Sequence, residues 1–193
     1  MKDDMLSVNN LVNAYSNGYF PMADENGKIS WYCPDIRAIF PFYNLKQKHS
    51  VIKFIEKNNI NFTIDSDFEF VIRQCANREE TWISDEIINA YLNLFENGYA
   101  HSIETWCNNE IIGGLYGVSI NSAFFGESMF SLVSNASKAA FYCLISQLKQ
   151  KRFILLDSQF INHFTAQLGA IEISKDVYLH FLRSALNIEN YFV

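Results

Sequence analysis

Apolar and polar positions follow two rhythms along this chain, and the rhythm changes often. Val8, Leu11, Val12 and Tyr15 recur at helical spacing behind Ser7, a capping residue type, which predicts a helix over 7–15 that ends at Gly18. The stretch from Pro21 to Phe42 holds all three prolines and the irregular run SWYCPDIRAIFPF, and reads as turns with short strands. A lysine-rich helix follows over 45–58, closed by Asn58 and Asn59. Alternation returns as a short strand at 60–64. Phe68, Val71, Ile72 and Cys75 then share one face of a helix over 65–76, and Ser84 opens another that runs to Phe95 before Gly98. Strands are predicted at 100–107, 110–119 and 122–130, with a tight hairpin at Asn108-Asn109. The remainder alternates: helix 135–150, buried strand 153–156, helix 160–168, strand 171–173, helix 175–187. Meandering strands followed by alternating helices and strands predict an α+β fold around a mixed sheet. A small N-terminal domain is expected over 1–60 and a larger one over 61–193.

Composition narrows the picture. Nearly half of the 193 residues are apolar and aromatics are abundant (17 Phe, 10 Tyr, 3 Trp), which assures a packed core. No apolar run approaches membrane-spanning length, and MKDDMLSVNN at the start has no leader character, so no membrane partner is expected. Cys33, Cys75, Cys107 and Cys143 are scattered singly, with no metal-ligand spacing, and read as reduced thiols. The net charge of −6 argues against broad nucleic-acid wrapping. Cations nevertheless cluster at Lys46, Lys48, His49, Lys53 and Lys57, and again at Lys149, Lys151 and Arg152. Such runs are solvated faces or modest phosphate contacts.

The segment Gly113–Ser131 (GGLYGVSINSAFFGESMFS) carries the sharpest chemical signal. Its single carboxylate, Glu127, lies between Phe124-Phe125 and Met129-Phe130. An ionised carboxylate in apolar surroundings is costly without a partner. Glu127 is therefore either paired for architecture or kept for a positively charged ligand. Gly113, Gly114 and Gly117 weaken a strand unless another group approaches its backbone closely. Asp157, Gln159 and Asn162 form a polar patch directly after the buried FILL strand. Asp157 and Gln159 point to one side by alternation. Helix capping accounts equally well for Asp157 and Asn162, whereas glutamine is a poor cap. His101 reads as a structural histidine and His163 as a surface one. Trp31 and Trp82 are core aromatics or stacking platforms.

The chain resembles the bacterial leucyl/phenylalanyl-tRNA–protein transferases through AYSNGYFP (14–21), WYCPDIR (31–37), CANREETWI (75–83), AHSIETW (100–106), GGLYGV (113–118), FGESMFS (125–131), NASKAA (135–140) and LLDSQ (155–159). The order and spacing of these segments cover almost the whole chain. The resemblance implies an acetyltransferase-like (GNAT-type) larger domain. It also implies transfer of leucine, or phenylalanine, from its tRNA to the α-amine of proteins that begin with Arg or Lys, which directs them to N-degron proteolysis. A cytoplasmic monomer that uses no cofactor or metal is expected, because the tRNA ester is already activated. By the same resemblance, Asp157 and Gln159 hold and polarise the attacking amine and Asn162 adds a hydrogen bond. Glu127 binds the acceptor cation. Leu115, Phe124 and Met129 line a donor side-chain pocket, and Trp82 stacks on the terminal adenine. Met22 stands where the family usually has tryptophan, and offers the adenosine a softer apolar contact. Lys46, Lys48, Lys53 and Lys57 meet tRNA phosphates, with Ile52 and Glu56 thinning the charge there. Two other readings stay open. An acyl-CoA-dependent acetyltransferase would need a glycine-rich pyrophosphate cradle, which SLVSNASKAA (131–140) lacks. A non-catalytic binder of basic N-termini would need Glu127 without Asp157, Gln159 or an adenine platform.

Overall fold

The computed structural model describes residues 5–42 and 45–193; the first four residues, part of the leader reading above, lie outside it. Helix α1 (Val8–Ser16) is capped by Ser7 and leads into the hairpin β1 (Phe20–Ala23) and β2 (Ile29–Tyr32). Then come β3 (Ile36–Ile39), α2 (His49–Lys57), β4 (Asn61–Ile64), α3 (Phe68–Ala76) and α4 (Asp85–Glu96). A meander follows, made of β5 (Ala100–Cys107), β6 (Glu110–Ile120) and β7 (Ala123–Ser131). The last elements are α5 (Ala136–Gln150), β8 (Leu155–Asp157), α6 (His163–Leu168), β9 (Ile171–Ser174) and α7 (Lys175–Leu186).

Seven strands form one mixed sheet in the order β4-β5-β6-β7-β8-β3-β9. The hairpin turns are where asparagine tolerates positive φ: Asn108 and Asn109 at 50° and 65°, and Asn121 at 51°. Among the described residues only β7 and β8 run parallel, and they pair over three positions, Ala123↔Leu155 to Phe125↔Asp157. Beyond Asp157 the chain turns away while β7 continues, so a wedge opens between the two strands. The division expected at residue 60 runs through this sheet. Residues of β3 lie inside 1–60, yet β3 is hydrogen-bonded between β8 and β9.

Two apolar clusters cover the two faces. On one, Tyr15, Phe68, Val71, Tyr91, Tyr116, Phe125 and Leu182 pack the sheet against α1, α3, α4 and α7. On the other, Leu115, Phe124, Phe141, Leu144 and Leu156 pack it against α5. Two strand glycines serve close approach. A Cβ on Gly113 would lie 2.6 Å from the Ala136 Cβ of α5, and one on Gly117 would lie 2.5 Å from the Phe124 ring.

Candidate active site

Glu127 sits where its strand carries one extra residue. Tyr116 pairs with Ser128 and Gly117 with Gly126, so Glu127 is the unpaired residue of a β-bulge in β7. A bulge bends the strand and switches the face of the residues beyond it. The carboxylate lies on the α1/α4 face at the mouth of the β7–β8 wedge. Tyr15 Oη donates to its Oε1 at 2.8 Å, Tyr91 Oη to its Oε2 at 3.2 Å, and Gln159 Nε2 to Oε1 at 2.9 Å. The two tyrosine hydroxyls also meet each other. Burial, reinforced by the Glu127 charge, holds both tyrosines protonated well above their ordinary range, so both remain donors. Among the described residues no lysine or arginine pairs with Glu127. Burial pushes its carboxyl up to about 8, Asp157 adds to the rise, and the tyrosine hydrogen bonds oppose it. A cation placed beside this carboxyl would lower that value and favour its ionised form.

Asp157, by contrast, has a cationic partner. Arg37 donates to it from Nε at 2.9 Å and from Nη2 at 2.6 Å, Tyr178 Oη at 2.8 Å and the Gln159 main-chain N–H at 2.9 Å. Arg37 and Asp157 are 1% and 0% exposed. The guanidinium lies between the rings of Phe20 and Tyr178, 4.6 and 4.5 Å from their centroids. These donors occupy both carboxylate oxygens of Asp157. The carboxylate fixes Gln159, whose φ of 53° is held by that N–H bond and by the bond from Ala38 N to its carbonyl. With Nε2 on Glu127, the Gln159 amide oxygen is left for the cleft.

A cavity of about 200 Å³ fills the wedge. Leu115 and Met129 line it, with Phe40, Phe141, Leu144 and Leu156. Phe124 does not line it, because its ring packs on Phe192 at 4.9 Å. Trp82 and Met22, sixty residues apart in sequence, border an adjoining hollow of about 170 Å³ that shares Glu127, Gln159 and Asn162 with the main cavity. Asn162 is the N-cap of α6 in a capping box with Thr165: its Oδ1 accepts from Thr165 N at 2.8 Å. The capping alternative thus holds for Asn162, whose amide NH₂ still borders the cleft. Lys46, Lys48, Lys53 and Lys57 are all exposed, outside the cleft on or beside α2. His101 is structural, its Nδ1 2.7 Å from Asp65 Oδ2, and His163 is exposed beside Gln167.

Arg37, Tyr15, Tyr91, Tyr116 and Arg78 are site residues that the sequence reading assigned no role. Their signal was present, since WYCPDIR, AYSNGYFP and CANREETWI contain three of them, but nothing local joins Tyr15 to Glu127 across 112 residues. Tyr116 lines the cavity, and its hydroxyl is, among the described residues, the one buried side-chain polar atom without a hydrogen-bond partner. Arg78 Nη2 donates to Ser128 Oγ at 2.9 Å and to Met129 O at 2.5 Å, tying the loop that carries Trp82 to β7. The described residues include no cluster of metal-ligating side chains and no helix long and apolar enough to cross a membrane.

A family profile described as leucyl/phenylalanyl-tRNA protein transferase matches residues 39–183, and the N-terminal domain of the same family matches residues 4–35. The leucyl/phenylalanyl-tRNA–protein transferase of Gloeobacter violaceus is 45% identical over 177 residues, covering 91% of this chain and 92% of that protein. The enzyme of that name from Chlorobaculum tepidum is 44% identical over 194 residues, covering 98% and 100%. A solved protein of unknown function from Bacteroides thetaiotaomicron aligns over 96% of this chain and 66% of its own, at a TM-score of 0.47 and 13% identity, too distant to add to the argument. Two family profiles that between them take in both segments of the chain, and relatives matched almost end to end, place this chain in the leucyl/phenylalanyl-tRNA–protein transferase family.

Proposed function

We propose that this chain transfers leucine or phenylalanine from aminoacyl-tRNA to the α-amine of proteins beginning with arginine or lysine, marking them for N-degron proteolysis. It acts as a cytoplasmic monomer. The observation that carries the reading is the Glu127 carboxylate, held by three neutral donors and, among the described residues, paired with no cation beside an apolar cavity. The acceptor's guanidinium or ammonium completes it. The donor side chain enters the cavity of Leu115, Met129, Phe141 and Leu144, which excludes charged residues by desolvation. The adenine lies between Trp82 and Met22, and the lysines of the α2 region meet phosphates. The parallel pair that separates after Phe125 and Asp157 supports an acetyltransferase-like arrangement, with the acyl group carried in the wedge.

The reaction needs no redox step. The amine nitrogen attacks the ester carbonyl carbon, a C–N bond forms, and the C–O bond to the ribose breaks. The amine loses a proton and the leaving ribose oxygen gains one. A free α-amine has a pKa of about 8 and is mostly protonated at neutral pH. The Gln159 amide oxygen can accept a hydrogen bond from it and orient its lone pair. Asp157 acts through Gln159 as a positioning residue, and Asn162 contributes its amide NH₂. Positioning of this kind accounts for much of a barrier reduction between two bound reactants.

The test is transfer of labelled leucine from charged tRNA to a peptide starting with arginine, with and without ribonuclease. Labelling that ribonuclease abolishes is expected; labelling that survives it, or none, rejects the reading. Glu127→Gln should raise the peptide KM by about 10–100-fold, because a charge-assisted hydrogen bond is worth about 1.5–3 kcal/mol. Donor KM should stay close to wild type. Unchanged acceptor kinetics would remove Glu127 from this role.

A further inference from the structure

Two openings adjoin the catalytic cavity, one at Trp82 and one at Arg78 and Met129, and their charges differ. One is edged by Asp24, Glu25, Glu79 and Glu80. The other is a hollow of about 370 Å³ beyond Arg78 and Met129, two residues that also border the catalytic cavity. Its walls include Gln74, Asn77, Ser131, Ser137 and Phe164. No acid lines it, in a chain where acidic residues outnumber basic ones by 21 to 15. Arg78 is its one lining cation among the described residues, and the Lys138 ammonium stands 5.6 Å from the Phe164 ring centroid at its edge. Lys138 lies one helical turn from Tyr142, whose hydroxyl accepts a hydrogen bond from Lys48 N at 3.1 Å. Two cations, Arg78 and Lys138, therefore stand at this hollow.

A single-stranded polyanion that leaves the adenine site is repelled by the first opening and drawn to the second. We propose that the hollow of Gln74, Asn77, Ser137 and Phe164 is the subsite for the nucleotide preceding the donor's terminal adenosine. Its phosphate meets Arg78 and Lys138. Its base lies against Phe164, with the Gln74 and Asn77 amides supplying both donors and acceptors to the base edge. Aromatic stacking and amide pairing are how unstacked bases are bound in single strands. This subsite rests on the donor reading above and extends it by one nucleotide.

The experiment compares two synthetic donors, leucyl-adenosine and cytidylyl-(3′→5′)-adenosine carrying leucine on its terminal ribose. Wild type should use the dinucleotide with a KM lower by about fivefold or more, since stacking one base contributes about 1–3 kcal/mol. That advantage should shrink as salt rises. Lys138→Glu and Phe164→Leu should each remove most of the advantage and leave the kinetics of leucyl-adenosine unchanged. A dinucleotide no better than adenosine, or variants that weaken both donors equally, overturns the subsite. No transfer by wild type from either donor or from charged tRNA overturns the transfer reading, and the subsite with it.

Discussion

Glu127 shows how burial can set a chemical property. Two residues after Phe125, Glu127 keeps to the face on which Phe125 packs against Tyr15, and the bulge opposite Tyr116 and Gly117 switches the residues beyond it, so that Met129 faces the other side. The carboxyl is packed among tyrosines there, and burial pushes it up from the ordinary 4.5 to about 8. A raised carboxyl pKa destabilises as pH rises. Between about 4.5 and 8 the folded chain holds a proton that the unfolded chain has released, so stability falls across that window and is level on either side. Each pH unit of separation corresponds to about 1.4 kcal/mol, which sets the upper slope. Chemical denaturation at pH 5, 6, 7 and 8 should show wild type losing stability relative to Glu127→Gln, with the gap widest at pH 8. Parallel curves would mean that the carboxylate is already ionised at pH 5. The sequence exposed the anomaly, an acid among aromatics, but not its neighbours, because Tyr15 and Tyr91 come from other elements.

Elements were the most legible level. The strands at 100–107, 110–119 and 122–130 are observed within one residue at each end, since alternation and the asparagine turns act locally. The misplaced piece was β3. Its four residues gave no sign of leaving the N-terminal segment to join the large sheet, because what recruits them is Arg37 reaching Asp157 across 120 residues. That pair joins β3 to β8, while Arg37 Nη1 also holds Gly18 O at 3.0 Å and the Tyr178 hydroxyl brings in α7. Truncating one member of such a buried pair leaves the other charge unmatched and costs about 3–5 kcal/mol. Arg37→Met should lower Tm by roughly 6–20 °C, at about 2–4 °C per kcal/mol for a chain of this size. Adding Asp157→Leu to it should recover part of the loss. A Tm within a degree of wild type for Arg37→Met would show that β3 is held by backbone pairing alone.

For the whole molecule, composition pointed only halfway. A net charge of −6 argues against wrapping nucleic acid, and that inference treats charge as if it were evenly spread. The fold sorts it. Acids from two distant segments, Asp24 and Glu25 with Glu79 and Glu80, meet beside Trp82, whereas Arg78 and Lys138 stand at the hollow beyond Met129. The acidic edge suits a basic N-terminus approaching the cleft. Glu79→Gln with Glu80→Gln should raise the KM of an arginine-initiated peptide by a few-fold at low ionic strength. The difference should fade above about 0.15 M salt, where the screening length is about 8 Å. A difference that persists at 1 M salt would indicate direct contact instead of steering.

The parted strands β7 and β8 have a kinetic corollary. Leu115 and Met129 face the helix α5 side, whereas Glu127 and Tyr116 face the opposite side, and the gap lets groups from both meet. Acyl giver and amine taker can therefore reside on the protein together, each with its own doorway. Neither has to leave before the other arrives, and no side chain has to carry the acyl group in between. Initial-rate plots against both reactants should intersect, as direct handover within a three-part assembly requires.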